Sequence, residues 1–194
     1  MHPKREAILH VVLDFLTGKH EEKLTVANVA RVLEIGKSTV YEYFSEKETM
    51  IAEAILMMID ENVAYMSDPK VYENLDFEKA FTVYMERSFM IAKGNRMMEN
   101  MLQNTDLMRI ASSHKEAIQE KIMIAYTDIQ KHVKGIFNLG VEEGLFSKEA
   151  SKMRSLSIES MLFGSVFMVT KPNQTIDESK FIDDLLESVF ILLR

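Results

Sequence analysis

Apolar residues recur along this chain at helical spacing. Ile8, Val11, Val12, Phe15 and Leu16 fall on one face of a first helix, which Gly18 stops. Val26, Val29, Ala30 and Leu33 mark a second, with Thr25 placed to cap its N-terminus. Gly36 and the polar trio Lys37-Ser38-Thr39 interrupt the pattern before Val40, Tyr41, Tyr43 and Phe44 resume it, which predicts a short third helix over 37–43. Ser45 followed by Glu48 reads as a capping box that opens a long fourth helix carrying Ile51, Ala54, Ile55 and Met58.

Ser67-Asp68-Pro69 is the strongest break, because proline removes a backbone donor and disfavours a helical predecessor. Beyond it the stripe Phe77, Ala80, Phe81, Tyr84, Ser88 and Ile91 runs to a stop at Gly94-Asn95. A methionine-rich run follows. A long stripe from Ile118 through Ile122, Ala125, Ile129 and Val133 to Ile136 then ends near the glycines at 140 and 144. Two last helices, at about 148–170 and 177–194, are apolar over more than one face and need burial on two sides.

Composition agrees with this pattern. Three prolines and seven glycines among 194 residues favour long helices over strands and tight turns, so the expected class is all-α. With no cysteine there are no disulfides, thiolate metal sites or cysteine nucleophiles. The longest nearly unbroken apolar stretch, 161–169, is too short to span a bilayer, and no apolar signal core follows Lys4 and Arg5. The expectation is a cytoplasmic protein with no membrane partner.

A net charge of −7 argues against nucleic acid as a partner, since Lys and Arg supply phosphate affinity. Its distribution changes the picture. Residues 1–50 hold seven basic and eight acidic side chains, while the other 144 hold 16 and 22. The acidity lies in the body, and any contact with DNA has to rest on local geometry near the N-terminus.

Residues 25–47, TVANVARVLEIGKSTVYEYFSEK, carry the most specific signal. Two short helices joined by a tight turn, the second opening on small polar and basic residues, are what a helix-turn-helix requires. The segment resembles the TetR/AcrR regulators, whose run reads roughly T-x-x-x-I-A-x-x-A-G-V-S-x-G-T-[LV]-Y-x-[HY]-F-x-x-K. Thr25, Val29, Ala30, Ile35, Thr39, Val40, Tyr41, Tyr43, Phe44 and Lys47 fall on the matching positions. A later echo is the run from Glu142 to Phe146.

The resemblance implies a helix-turn-helix domain over 1–48 and a helical ligand-binding and dimerisation domain over 49–194, about nine helices in all. By position, Thr25 and Lys47 would hold phosphates, and Tyr41 and Tyr43 would brace against the backbone or a base. Lys37, Ser38 and Thr39 would meet bases and phosphates, and Glu42 would either accept from cytosine N4 or weaken binding. The chain departs from the pattern at the turn: Glu34 stands for its glycine, Leu33 for the preceding alanine, Gly36 for the cap serine and Ser38 for the later glycine. A glutamate is costly where positive φ is preferred, so the expectation is a turn shifted toward Gly36.

For the body, the resemblance implies a small-molecule site among the central helices and a four-helix bundle made with a second copy. The dimer face expected on the last two helices comprises Leu156, Met161, Phe163, Phe167, Phe181, Leu185 and Val189. Phe81, Tyr84, Met85, Phe89, Met97, Met101, Met108, Met123 and Tyr126 are the candidate pocket, methionine giving an adaptable apolar lining. The same methionines could equally be core filler. The five histidines have no metal-ligand spacing and no nucleophile or nucleotide-binding glycine motif occurs, so the chain reads as neither an enzyme nor a cofactor protein.

The function expected is a repressor, bound as a homodimer to double-stranded operator DNA and released by a small apolar or amphipathic effector. The alternative is an all-helical apolar-ligand-binding or scaffold protein with a degenerate helix-turn-helix, which Glu34, Glu42 and the acidic balance favour.

Overall fold

In the computed structural model, residues 2–94, 112–171 and 175–194 are described. These residues are helical with no strand: α1 (Pro3–Leu16), α2 (Val26–Val32), α3 (Lys37–Tyr43), α4 (Lys47–Met66), α5 (Pro69–Tyr72), α6 (Phe77–Gly94), α7 (Lys115–Glu142), α8 (Lys148–Met168) and α9 (Glu178–Leu193). They divide into two compact units, residues 2–62 with 112–126, and residues 63–94 with 127–171 and 175–194.

Most helix starts follow from side chains that satisfy otherwise unpaired backbone N–H groups. Thr25 Oγ1 accepts from Asn28 N–H at 3.1 Å, Ser147 Oγ from Ala150 N–H at 3.0 Å and Asp177 Oδ1 from Lys180 N–H at 3.2 Å. The fourth helix departs from the expected capping box. Its first bond runs from Met50 N–H to the Glu46 carbonyl at 3.2 Å, so Glu46 holds the cap position instead of Ser45.

The first unit is built on α1. Ile8, Leu9, Val12 and Leu16 are buried with Val29 and Ala30 of α2, Val40 of α3, Phe44, and Met50, Ile51, Ala54 and Ile55 of α4. The guanidinium of Arg5 lies 4.7 Å from the centre of the Phe44 ring and pairs with Glu53. This anchors the start of α1 beside the end of α3.

In the second unit α6 packs against α8 and α9, and α8 against α9. Phe77 is the hub of its core: its ring lies 5.1 Å from Phe146, 5.4 Å from Phe137 and 5.8 Å from Phe190, centre to centre. The N-terminus of α6 is held twice. Asp76 Oδ1 accepts from Lys79 N–H at 2.9 Å, and Glu143 Oε1, far along the chain, accepts from Phe77 N–H at 2.9 Å.

Candidate nucleic-acid interface

The turn between α2 and α3 sets the direction in which α3 points. Ile35 N–H donates to the Ala30 carbonyl at 3.0 Å and Glu34 N–H to the Arg31 carbonyl at 3.1 Å. This is the Schellman pattern, in which the residue after the cap adopts the left-handed conformation. That residue is Glu34, with φ 55°. The expected shift of the turn toward Gly36 does not occur: Gly36 has φ −70° and ψ 148°, extended backbone open to any residue, and caps α3. The glutamate accepts the strain and the turn geometry is kept.

With the turn fixed, the side chains of α3 sort by helical face. Val40 is buried in the first core, as is Phe44 just after the helix. Lys37, Ser38, Tyr41 and Glu42 face solvent, and Tyr41 is 52% exposed. Thr39 and Tyr43 are half-buried at the edges of this face, as is Lys47 at the start of α4. Thr25 is half-buried at the start of α2, its oxygen used as the cap acceptor and its hydroxyl hydrogen still able to donate.

Tyr43 is held from behind. Its hydroxyl lies 3.3 Å from Nδ1 of His2, the residue that caps α1 by accepting from Lys4 N–H at 3.3 Å, and the two rings are 5.3 Å apart. His2 carried no sequence signal as part of this surface, because its partner lies 41 positions away. The cations of this region divide into two sets. Arg31 pairs with Glu22, Lys19 with Asp14 and Arg5 with Glu53, whereas Lys4, Lys23, Lys37 and Lys47 have no acidic partner among the described residues. The uncommitted charges on and beside α3 are therefore Lys37 and Lys47, with Glu42 between them in sequence.

The residues proposed from the sequence as a pocket are distributed over both units, and three of them lie outside the described residues. Phe81, Met85 and Phe89 are fully buried core of the second unit, with Tyr84 half-buried beside them. Met123 and Tyr126 are exposed and belong to the first unit, while Met97, Met101 and Met108 lie outside the described residues. Elsewhere in the second unit, Tyr72 and His132 meet edge to face at 4.4 Å and line a cavity of about 420 Å³ with Ser67, Lys70 and Glu73. Tyr72 Oη and His132 Nε2 are buried without a hydrogen-bond partner among the described residues. Burial pushes the Tyr72 phenol up to about 12 and holds the His132 imidazole below its ordinary value, helped there by the charge of Arg87. One tyrosine and one histidine separated by 60 positions give no periodic pattern, so this pair was invisible in the sequence.

The residues proposed as a dimer face also divide. Leu185 and Val189 are buried in their own unit's core, Met161 and Phe181 are half-buried, and Phe181 stacks on Phe89 at 5.8 Å. Leu156, Phe163 and Phe167 are 76%, 78% and 64% exposed along α8. Among the described residues no helix is long and apolar enough to cross a membrane, and no cluster of His, Asp or Glu could hold a metal.

No family model matches the sequence, and no curated protein does. Solved structures match over nearly the whole chain. A protein of Rhodococcus sp. described as a TetR-family transcriptional regulator is 14% identical, with a TM-score of 0.62 and all of both chains covered. A TetR transcriptional regulator of Streptomyces coelicolor is 18% identical, with a TM-score of 0.59 and 98% of each chain covered. The fatty acid degradation regulator FadR of Bacillus halodurans is 16% identical, with a TM-score of 0.62, covering 100% of this chain and 96% of that one. Together with the helix-turn-helix built by α2 and α3, these likenesses establish that the chain has the fold of the TetR-family transcriptional regulators.

Proposed function

We propose that this protein is a homodimeric DNA-binding transcriptional regulator, acting as a repressor that a small apolar or amphipathic effector releases from its operator. The observation that carries this reading is the outward face of α3, where Lys37, Ser38, Tyr41 and Glu42 project from a helix locked by Val40 and Phe44. Such a face can enter a major groove, with Lys37 and Lys47 supplying phosphate or base contacts and Thr25 a phosphate contact at the start of α2. The left-handed turn at Glu34 favours this reading over a decayed motif, since the geometry of the turn is kept despite the substitution.

A two-fold dimer would set two α3 helices on successive major grooves. The apolar stripe of α8 favours a homodimer, because exposed Leu156, Phe163 and Phe167 leave water only against a partner. For the effector, the cavity beside Tyr72 and His132 offers one hydroxyl and one ring nitrogen that a polar ligand group would satisfy. Release then requires that the effector bind more tightly to a dimer whose reading heads no longer fit one operator.

The test is fluorescence anisotropy of the full chain with DNA taken from beside its own gene, against unrelated DNA of equal length. The expected result is salt-sensitive binding that prefers the former. Absence of any sequence preference at low ionic strength would overturn the regulator reading.

A further inference from the structure

We propose that the groove between α7 and α8 is a binding site for a single-chain anionic amphiphile, an acyl tail ending in a carboxylate or phosphate. The two helices run antiparallel across the Gly144 turn, and the bond from Gln130 Nε2 to Glu159 Oε2, 2.9 Å, fixes their register. The groove between them has a volume of about 550 Å³, within the range of small-molecule sites. All of its lining lies in the second unit.

The lining separates into two chemistries. Val133, Phe137, Val141 and Ile158 form an apolar floor continuous with the second core. Around it stand Lys131 and Lys134 from α7 and Lys148 and Lys152 from α8. Lys131 pairs with Asp128 at 3.1 Å, while the other three have no acidic partner among the described residues. Four lysines converge here on a chain whose net charge is −7. Glu159 is the one carboxylate in the lining, at the end where Gln130 holds it.

An apolar floor rimmed by cations selects a molecule with a hydrophobic body and a negative head. The tail would lie on Phe137 and Ile158, and the head would be drawn to Lys134, Lys148 and Lys152 with their stems covering the tail. A cationic or zwitterionic amphiphile would gain the floor and lose the rim. No residue of α3 contributes to the lining, so the site can be tested without DNA.

The experiment is calorimetric titration of the full chain, without DNA, with dodecanoate and dodecyl phosphate below their micelle concentrations. Dodecanol and dodecyltrimethylammonium serve as uncharged and cationic counterparts. The expected result is saturable binding of an anion, weakened at least tenfold for both counterparts and roughly threefold per methylene removed from the tail. Lys134→Gln with Lys152→Gln should weaken it at least tenfold with no change in helicity or unfolding midpoint, whereas Lys180→Gln on α9 leaves it unchanged. A bulky S155W should block it by filling the groove. Whichever anion binds more tightly identifies the head. No binding of either, equal affinity for dodecyltrimethylammonium, or binding indifferent to both the lysine pair and S155W would overturn the proposal.

Discussion

Gly140 lies directly beneath the ring of Phe146, so close that a Cβ on the glycine would fall 2.4 Å from Cζ of the phenylalanine and 3.1 Å from Cγ of Phe77. The contact joins α7 to the loop that follows it and lets Phe146 reach the aromatic hub around Phe77. Gly140→Ala would ordinarily favour a helix by about 1 kcal/mol. Here overpacking should outweigh that gain, and a net loss of about 1–3 kcal/mol is expected in denaturant unfolding. Removing the obstructing ring in the double variant Gly140→Ala/Phe146→Ala should cost less than the sum of the two single changes.

Glu34 offers the opposite prediction. A side chain at φ 55° carries the left-handed penalty of roughly 1–2 kcal/mol, while glycine there costs some chain entropy on folding. Glu34→Gly should therefore raise stability by about 1 kcal/mol, lifting the unfolding midpoint by about 2–4 °C. No gain would mean that the glutamate side chain makes a compensating contact.

These two positions also mark where the sequence could and could not be read. Most helices were legible because their starts and stops rest on local chemistry: Thr25 caps α2, Gly18 ends α1 and α4 stops before the break at Asp68-Pro69, although the short α5 that Pro69 opens was not foreseen. The turn at Glu34 was misread because propensity forbids a conformation that burial of Ala30 and packing of Ile35 impose from both sides. On α3 the inward Val40 and Phe44 followed from the apolar pattern, whereas the contact set came from the resemblance, and the structure turns Lys37, Ser38, Tyr41 and Glu42 of it outward. The Tyr43–His2 and Tyr72–His132 pairs followed from neither, since each is made by tertiary packing between distant segments. On α8 and α9 the apolar excess was visible, but periodicity cannot say which apolar face goes to the chain's own core.

The proposed interface with DNA predicts distinct outcomes for Lys and Tyr. Lys37→Ala and Lys47→Ala should each weaken binding to all sequences and reduce the slope of log affinity against log salt by about 0.9. Tyr43→Ala should abolish operator binding with the dimer intact, since it removes both a bracing ring and its tie to the cap of α1. Glu42→Gln should strengthen binding to unrelated DNA more than to the operator. An unchanged affinity in both Tyr43→Ala and Lys47→Ala, read by anisotropy, would place the interface elsewhere.

Stability should respond to pH through His132. Burial, with Arg87 nearby, lowers its pKa in the folded chain below the ordinary 6.5. Between those two values the unfolded chain holds a proton that the folded chain does not, so stability falls as pH drops through 6.5 and this contribution is flat above it. His132→Gln should remove that part of the slope. Unfolding midpoints measured from about pH 8 to pH 5 on both proteins check this, and identical slopes would assign the dependence to other groups.

The stripe on α8 makes the most direct claim about assembly. Met153, Leu156, Ser160, Phe163 and Phe167 are all exposed and alternate in steps of three and four, the spacing of a helix seam that packs against another helix. Ser160 and Gly164 are small, and nothing lies within 4 Å of where a Gly164 Cβ would stand, so a partner helix can approach closely between the two phenylalanines. Burying a phenylalanine contributes about 1.5–3 kcal/mol, and a two-fold axis counts each change twice. Phe163→Glu should therefore convert the proposed dimer to monomer at micromolar concentration, measured by light scattering. Because neither Leu156 nor Phe163 supports the chain's own core, Leu156→Glu should do the same with little loss of helicity. A dimer that survives both changes would move the interface off this face of α8.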